Sequence, residues 1–368
     1  VRLFQYKPNQ DTSQLKTMHV QMWNERSIFD YAFYYHTLDS VFNCCTFSEC
    51  ISEYQIKFLQ KNPLKKIIYD FAGEAVNDEQ LLDLVTAAEH FCLNKEQMVV
   101  CVLDELQTEF LQTNISNSII DQFSFLEHNP YYEFQMLPSI RYKSKAKFSV
   151  LCRRHTPWRS YFFSEIYKEN CLKSCVFSYH GEVDDSPACT DKICKDILLH
   201  TEQECSRDFF EKKPYTIDLN ADYTNFYSGI PEPILDTDIH IILEHSKFDE
   251  GVDHGAPFIS EKTYKAILAK KPFLAVSDSK FLIGLEKLGF KTFSPYIPQD
   301  YDTIENHKLR VDRIIDIIKE LDQLSKLEFD KLLQDVEPIT EYNYNLLKQK
   351  CQSQDSLENL LFEICKQS

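Results

Sequence analysis

The stretch from Asp238 to Phe293 constrains the fold more than any other part of the chain. An apolar run (Ile239, Ile241, Ile242, Leu243) leads into a polar loop and then an amphipathic run from Glu261 to Lys270. A second apolar run, Pro272 to Val276, and a second amphipathic run to Leu288 complete it. Short apolar runs alternating with helical periods indicate βαβ units, because parallel strands need a crossover to restart from the same end of a sheet. Ligands in such sheets sit at the carboxyl ends of the strands. That end carries Glu244 here, and the following helix opens with Ser260, Glu261 and Lys262.

The pattern occurs twice more upstream. LKKIIYDFAGE, from Leu64, reads as a buried strand ending in a polar turn. NDEQLLDLVTAAEHFCLN follows as a helix, with Asn77 or Asp78 as N-cap and Leu81, Leu82, Leu84, Val85 and Ala88 on one face. QMVVCVLDE is the next buried strand, and the segment after it holds a further helix. Residues 129–145 hold two prolines and no clear period, which places a domain boundary near Ser144. Beyond it come the strand AKFSVLCRR, the polar loop HTPWR, a helix from Ser160 to about Lys168 and the strand SCVFSYHGE. Residues 181–235 read as polar insertions with one helix across KICKDILLHTEQECSRDFF. NHKLRVDRIIDIIKELDQL is an amphipathic helix, and Ser325–Gln334 and Glu341–Lys350 read as two more.

A chain of 368 residues is long enough for two domains. The expectation is an α/β protein of two Rossmann-like domains facing across a cleft. The boundaries are residues 1–144, 145–330, and a helical tail, 331–368, packing back towards the first domain.

Several classes of function are disfavoured. With 7 glycines, the chain has neither the dinucleotide fingerprint nor a P-loop. No run of about 18 apolar residues is present to span a membrane. The net charge of -17 argues against nucleic acid as partner, since a nucleic-acid binder carries a basic balance. The opening residues VRLFQYKPNQ hold no apolar signal-peptide core, and the 13 cysteines are scattered, so a cytoplasmic protein with free, mostly buried thiols is expected. Cys171, Cys175, Cys189, Cys194 and Cys205 have spacings a zinc site tolerates, but no paired C-x-x-C. Asp236-Thr237-Asp238 is a D-x-D string, yet it precedes a strand rather than ending one and reads as a turn. No metal and no cofactor are expected.

Ser260 stands where a helix N-cap belongs, and the free N–H groups of that first turn favour an anion. Glu261 and Lys262 flank it: a carboxylate can accept both hydroxyls of a ribose, and an ammonium suits a phosphate. The competing reading is a capped surface helix with a solvated ion pair. Arg153, Arg154 and Arg159 form a basic cluster after a strand in an acidic chain, which suits an anion or a solvated loop.

ILEHS, then FISEKTYKAILAKKPFLAV, resembles the donor-binding part of GT-B glycosyltransferases, with fucosyltransferases and exostosin-like enzymes closest in pattern. KFSVLCRRHTPWRSYFFSEIYKENCL and KKIIYDFAGEAVND are similar, more loosely, to glycosyltransferase-like proteins of phages and large viruses. His245 departs from the asparagine of fucosyltransferases, and the loop 247–257 carries Asp249, Glu250, Asp253 and His254. The resemblance implies a metal-independent transferase moving a sugar from a nucleotide-sugar donor to a glycan or other hydroxyl acceptor. It implies that Glu261 holds the ribose, and that Lys262 and the turn at Ser260 face the diphosphate. Glu244 would lie near the donor sugar or base, with Arg153, Arg154 or Arg159 neutralising the leaving group. An inverting transfer also needs a base. Glu74 is the first candidate and Asp70 the second, ahead of Asp104, Glu105, His180 and His254. The rival readings are a non-catalytic nucleotide- or glycan-binding relative and a DNA-base glycosyltransferase.

Overall fold

The computed structural model describes residues 97–114, 144–183, 186–217, 230–244 and 258–353, the strand segments 3–4, 32–36, 67–70 and 124–127, and isolated positions between 57 and 129. The chain divides into two compact units, residues 1–133 with 353–368, and residues 134–352. The expected boundary near Ser144 lies just before the first strand of the second unit.

The first unit contains strands β1 (Leu3–Phe4), β2 (Ala32–His36), β3 (Ile67–Asp70), β4 (Met98–Val102) and β5 (Ser124–Glu127), and helix α1 (Glu105–Asn114). The strands lie in chain order, β1-β2-β3-β4-β5, and all neighbours are parallel. Every residue of β4 is buried, as an unbroken apolar run in a parallel sheet requires.

The second unit begins with β6 (Ala146–Arg154), α2 (Pro157–Lys168) and β7 (Cys175–Val183). A short β8 (Ser186–Pro187), α3 (Thr190–Thr201), α4 (Arg207–Glu211) and α5 (Glu232–Leu235) follow. Next come β9 (Thr237–Leu243), α6 (Glu261–Leu268), β10 (Phe273–Val276) and α7 (Phe281–Lys287), then α8 (His307–Gln323) and α9 (Lys326–Ser353). The strand order is β10-β9-β6-β7-β8, parallel except for the antiparallel β8. The chain leaves β6 towards β7, then returns to the other side of β6 as β9. The order therefore reverses between β6 and β9, which makes this the topological switch point of the sheet. Both units are of the mixed α/β type with parallel sheets, compatible with Rossmann-like domains.

Apolar burial holds α6 on the sheet: Tyr264, Ala266 and Ile267 are almost fully enclosed, and a side chain the size of Ile267 contributes roughly 2 kcal/mol. The sheet also buries polar groups. Thr237 Oγ1 donates to Ser149 Oγ at 2.8 Å, and Ser149 meets His240 Nδ1 at 2.9 Å. Burial pulls His240 down to about 4, so it stays neutral.

Three sequence expectations change. Helix α2 starts at Pro157, not Ser160, with Thr156 as N-cap accepting from the Arg159 N–H. A Thr-Pro pair is a strong helix start, because proline at the first position loses no bond. The helix expected across KICKDILLHTEQECSRDFF is two helices, α3 and α4, broken at Glu202, whose φ of 57° ends α3. The two helices expected between Ser325 and Lys350 are one, α9, which runs through Pro338. Packing of Phe329, Leu332, Val336 and Leu347 outweighs the backbone bond the proline forgoes.

The thiols also differ from expectation. Cys194 and Cys205 are joined, with Cα atoms 5.7 Å apart, the span a disulfide prefers. Cys152 and Cys171 are free and buried, and Cys189 is free and exposed. The disulfide removes two members of the cysteine cluster from any zinc reading. Among the described residues no group of three potential metal ligands is gathered, and no helix is long and apolar enough to cross a membrane.

Candidate functional site at the β6/β9 switch point

Glu244 follows the last residue of β9, at the carboxyl end of the sheet, and its side chain is 0% exposed. Its carboxylate accepts from the Ser260 N–H at 3.2 Å, from the Ser260 hydroxyl at 2.5 Å and from the Thr263 hydroxyl at 2.6 Å. Ser260 is the N-cap of α6, accepting from the Lys262 N–H. The chain's own carboxylate therefore fills the anion position at the start of α6. The turn at Ser260, expected to face a diphosphate, faces Glu244 instead, because only a paired carboxylate is stable at that depth. Glu244 in turn is committed to the helix and not aimed at a ligand.

The same solution recurs next door. Asp302 accepts from the Leu282 and Ile283 N–H groups at 2.9 and 3.2 Å and so caps α7. Helix α2 differs. Its cap is the Thr156 hydroxyl, its first turn contains no acid, and Arg159 sits in that turn.

Arg159 donates to the Glu244 carbonyl at 3.0 Å, so α2 of strand β6 and the end of strand β9 meet at the switch point. Lys262 Nζ lies 3.1 Å from Ser260 Oγ, 3.7 Å from Glu244 and 3.4 Å from Glu261. Lys262 keeps 33% of its side chain exposed and Glu261 keeps 12%. Arg159, Glu244, Ser260, Glu261 and Lys262 are thus one group, as the sequence motifs suggest. Burial raises the Glu261 carboxyl, but Lys262, Lys265 and hydrogen bonds at the helix start outweigh it, and Glu261 stays ionised below the usual carboxylate range. Burial lowers Lys265. Beneath the group, burial pushes the Cys152 thiol up to about 11 against the opposing charges of Arg159 and Lys262, so it is an inert thiol.

Arg153 and Arg154 are exposed at the end of β6. Arg153 pairs with Glu182 at 3.0 Å, which turns it away from Glu244's group and onto β7. His180 lies on β7. Asp236 of the D-x-D string is 8% exposed at its side chain and pairs with Lys145 at 2.5 Å, a structural tie at the opposite end of β9.

A polar chain that no sequence motif announces supports α2 from behind. His155 Nδ1 lies 2.6 Å from Ser160 Oγ, His155 Nε2 lies 3.0 Å from Asp196, and Ser160 Oγ lies 2.7 Å from the Tyr179 hydroxyl. This has the connectivity of a serine–histidine–acid triad. Ser160 and Tyr179 are fully enclosed, however, so no substrate reaches the hydroxyl. Burial lowers His155 while Asp196 opposes this, and the ring is neutral. The signal that marks this chain in sequence is the polar run His155-Thr156 immediately after an apolar strand.

In the first unit, Asp70 is the last residue of β3, paired in register with Cys101. Glu74 lies outside the described residues, as do His245 and the loop with Asp249, Glu250, Asp253 and His254. Asp104 follows β4 and caps α1, accepting from the Leu106 and Gln107 N–H groups at 3.1 and 3.3 Å. Burial pushes its carboxyl up to about 7. No protein-family model matches the chain, and no curated protein matches it.

Proposed function

We propose that the chain is a nucleotide-sugar-dependent glycosyltransferase of the GT-B kind, cytoplasmic, with its donor site at the β6/β9 switch point. The observation that carries this reading is the meeting of Arg159, Glu261 and Lys262 where the strand order reverses. Ligands of open α/β sheets occupy that crevice, and the residues there supply one ionised carboxylate and two cations. Glu261 suits the ribose hydroxyls. The diphosphate goes to Arg159 and Lys262 with the start of α2, because Glu244 and Asp302 already neutralise the starts of α6 and α7. Sugar transfer leaves a nucleoside diphosphate with added negative charge, and fixed cations beside a helix start stabilise it as it forms. An inverting transfer also needs a base for the acceptor hydroxyl, for which Glu74 and Asp70 are the candidates the sequence offers.

The test is a melting-temperature screen against nucleoside diphosphates and nucleotide sugars, followed by a sugar-transfer assay with the donors that bind. A ligand at one hundred times its Kd stabilises the fold by about 2.7 kcal/mol. Glu261→Ala, Lys262→Ala and Arg159→Ala should each remove the shift while leaving the unliganded melting temperature within a few degrees. A screen in which no nucleotide at millimolar concentration moves the wild-type protein refutes the proposal. Binding without transfer to any acceptor favours the non-catalytic relative.

A further inference from the structure

The outer support of Arg159 runs through a covalent link. Helix α3 is held against α2 by three ties. Ile193 and Ile197 are fully buried. Asp196 binds His155 at 3.0 Å, and His155 binds Ser160, the residue next to Arg159, at 2.6 Å. The third tie is Cys194–Cys205, which joins the middle of α3 to the segment before α4. That segment is itself pinned to α2, since the Ser206 N–H donates to Ser164 Oγ at 2.8 Å. At its start α3 is also tied to α4, where the Thr190 hydroxyl donates to the Phe210 carbonyl at 3.2 Å and Asp191 pairs with Arg207 at 2.7 Å, while Leu198 and Leu199 on its outer side are 50% and 72% exposed. Cys194 and Cys205 are each partly exposed.

We propose that the Cys194–Cys205 disulfide is a thiol-responsive latch that sets how firmly α2 presents Arg159 to an anionic ligand at the switch point. The inference rests on the ligand reading of that site given above. The chemistry is exchange with a low-molecular-weight thiol such as glutathione. Its thiolate attacks one sulfur, the S–S bond breaks, and the other cysteine leaves as a thiolate that takes a proton from water. A second glutathione releases the first cysteine from the mixed disulfide. Two electrons pass from two glutathione thiols to the cystine, and glutathione disulfide is the oxidised product. The released α3 retains its two isoleucines and the ties at its start but loses the covalent hold on its middle, so the Asp196–His155–Ser160 chain loosens and Arg159 loses its backing. His155 is a positioning residue in this scheme.

The experiment measures the Kd of inorganic pyrophosphate by calorimetry on the full chain, oxidised and after reduction, with the thiol state confirmed by mass spectrometry. Reduction should weaken binding about fivefold, a coupling of about 1 kcal/mol. Cys194→Ser/Cys205→Ser should match the reduced protein. His155→Ala should be weak in both redox states, because the coupling passes through it, and Asp196→Asn, which keeps an acceptor for the ring, should restore most of the oxidised affinity relative to Asp196→Ala. Equal affinities in the two redox states, or the same fivefold loss persisting in His155→Ala, overturn the latch. If pyrophosphate binds to no form, the ligand reading of the site fails, and the nitrogen resonances of the His155 ring then judge the latch separately. Ring resonances that shift on reduction uphold the mechanical link, and unmoved ones overturn it.

Discussion

Replacing Glu244 separates its structural duty from the ligand chemistry of its neighbours. In Glu244→Ala, the Ser260 N–H, the Ser260 hydroxyl and the Thr263 hydroxyl lose their acceptor in a fully enclosed position. Each hydrogen bond to a charged group contributes about 1.5 kcal/mol or more. The two hydroxyls can turn to other acceptors, which trims that sum, while the start of α6 loses its counter-charge, about 0.5 kcal/mol. The expected loss is about 4 kcal/mol, in the range for breaking a buried charged pair and a large part of a typical domain's stability. Glu244→Gln keeps one acceptor oxygen and should cost about 1.5 kcal/mol. Urea denaturation at neutral pH reads both. The alanine variant also leaves a carboxylate-sized gap lined by an N–H, two hydroxyls and Lys262. Formate at ten times its Kd should recover about 1.4 kcal/mol there and nothing in the wild type. An alanine variant within about 1 kcal/mol of wild type, or equal formate stabilisation of both proteins, would show that Glu244 is not the counter-ion of α6.

Other perturbations are read more simply. Asp104 has a folded-state value of about 7 against 3.8 for the free side chain, so the folded first unit prefers the protonated acid. Its stability should be greatest below pH 4 as far as this group is concerned and should fall as pH rises through 7, by about 4 kcal/mol at most. Asp104→Asn, which keeps the acceptor for Leu106 and Gln107, should flatten that slope in a series of melts from pH 5 to 8. Asp302→Ala removes two backbone bonds at the start of α7 and should cost about 1–2 kcal/mol in urea denaturation. Pro338→Ala restores a donor inside α9 and should raise stability by about 1 kcal/mol or more; a drop would mean that packing around residue 338 depends on the proline ring.

Much of the second unit was legible because its signals are local. The strand AKFSVLCRR matches β6 to the residue, and Asn306 and Ser260 were readable as helix starts. Pairings over distance were not. Glu244 and Ser260 were both singled out, yet spacing along the chain cannot say that one carboxylate fills the other's helix, since that depends on how β9 leads into α6. The His155–Asp196 pair spans 41 residues and two helices, so no periodicity announces it. Ser325–Gln334 and Glu341–Lys350 were read as separate helices because propensity is a local quantity, whereas four buried side chains decide whether a long helix survives the one bond Pro338 forgoes.

The place of the strand-order reversal follows from connection length more than from any motif. From β6 to β7 the chain needs only α2 and one short turn, so β7 pairs with its immediate predecessor. From β7 to β9 more than 50 residues intervene, enough to carry the chain back past β6 to its free edge. That long polar insertion, unremarkable in composition, is what sets the reversal of strand order between β6 and β9. Once it exists, charge decides what enters. The acids Glu244 and Asp302 point inward and are spent on helices α6 and α7, Lys262 lies between Glu244 and Glu261, and Arg159 at the acid-free start of α2 meets the Glu244 carbonyl. A chain carrying -17 overall therefore keeps two cations, Arg159 and Lys262, at the point of this sheet where the strand order reverses. Arg159→Glu tests both halves of that statement at once. It places a carboxylate against the Glu244 carbonyl, where it has no donor, and reverses the sign of the site. Pyrophosphate affinity should fall by at least tenfold, more than in Arg159→Ala, because repulsion is added to the lost contact. Equal losses in the two variants would mean that Arg159 acts through shape alone and that the crevice is not selected by charge.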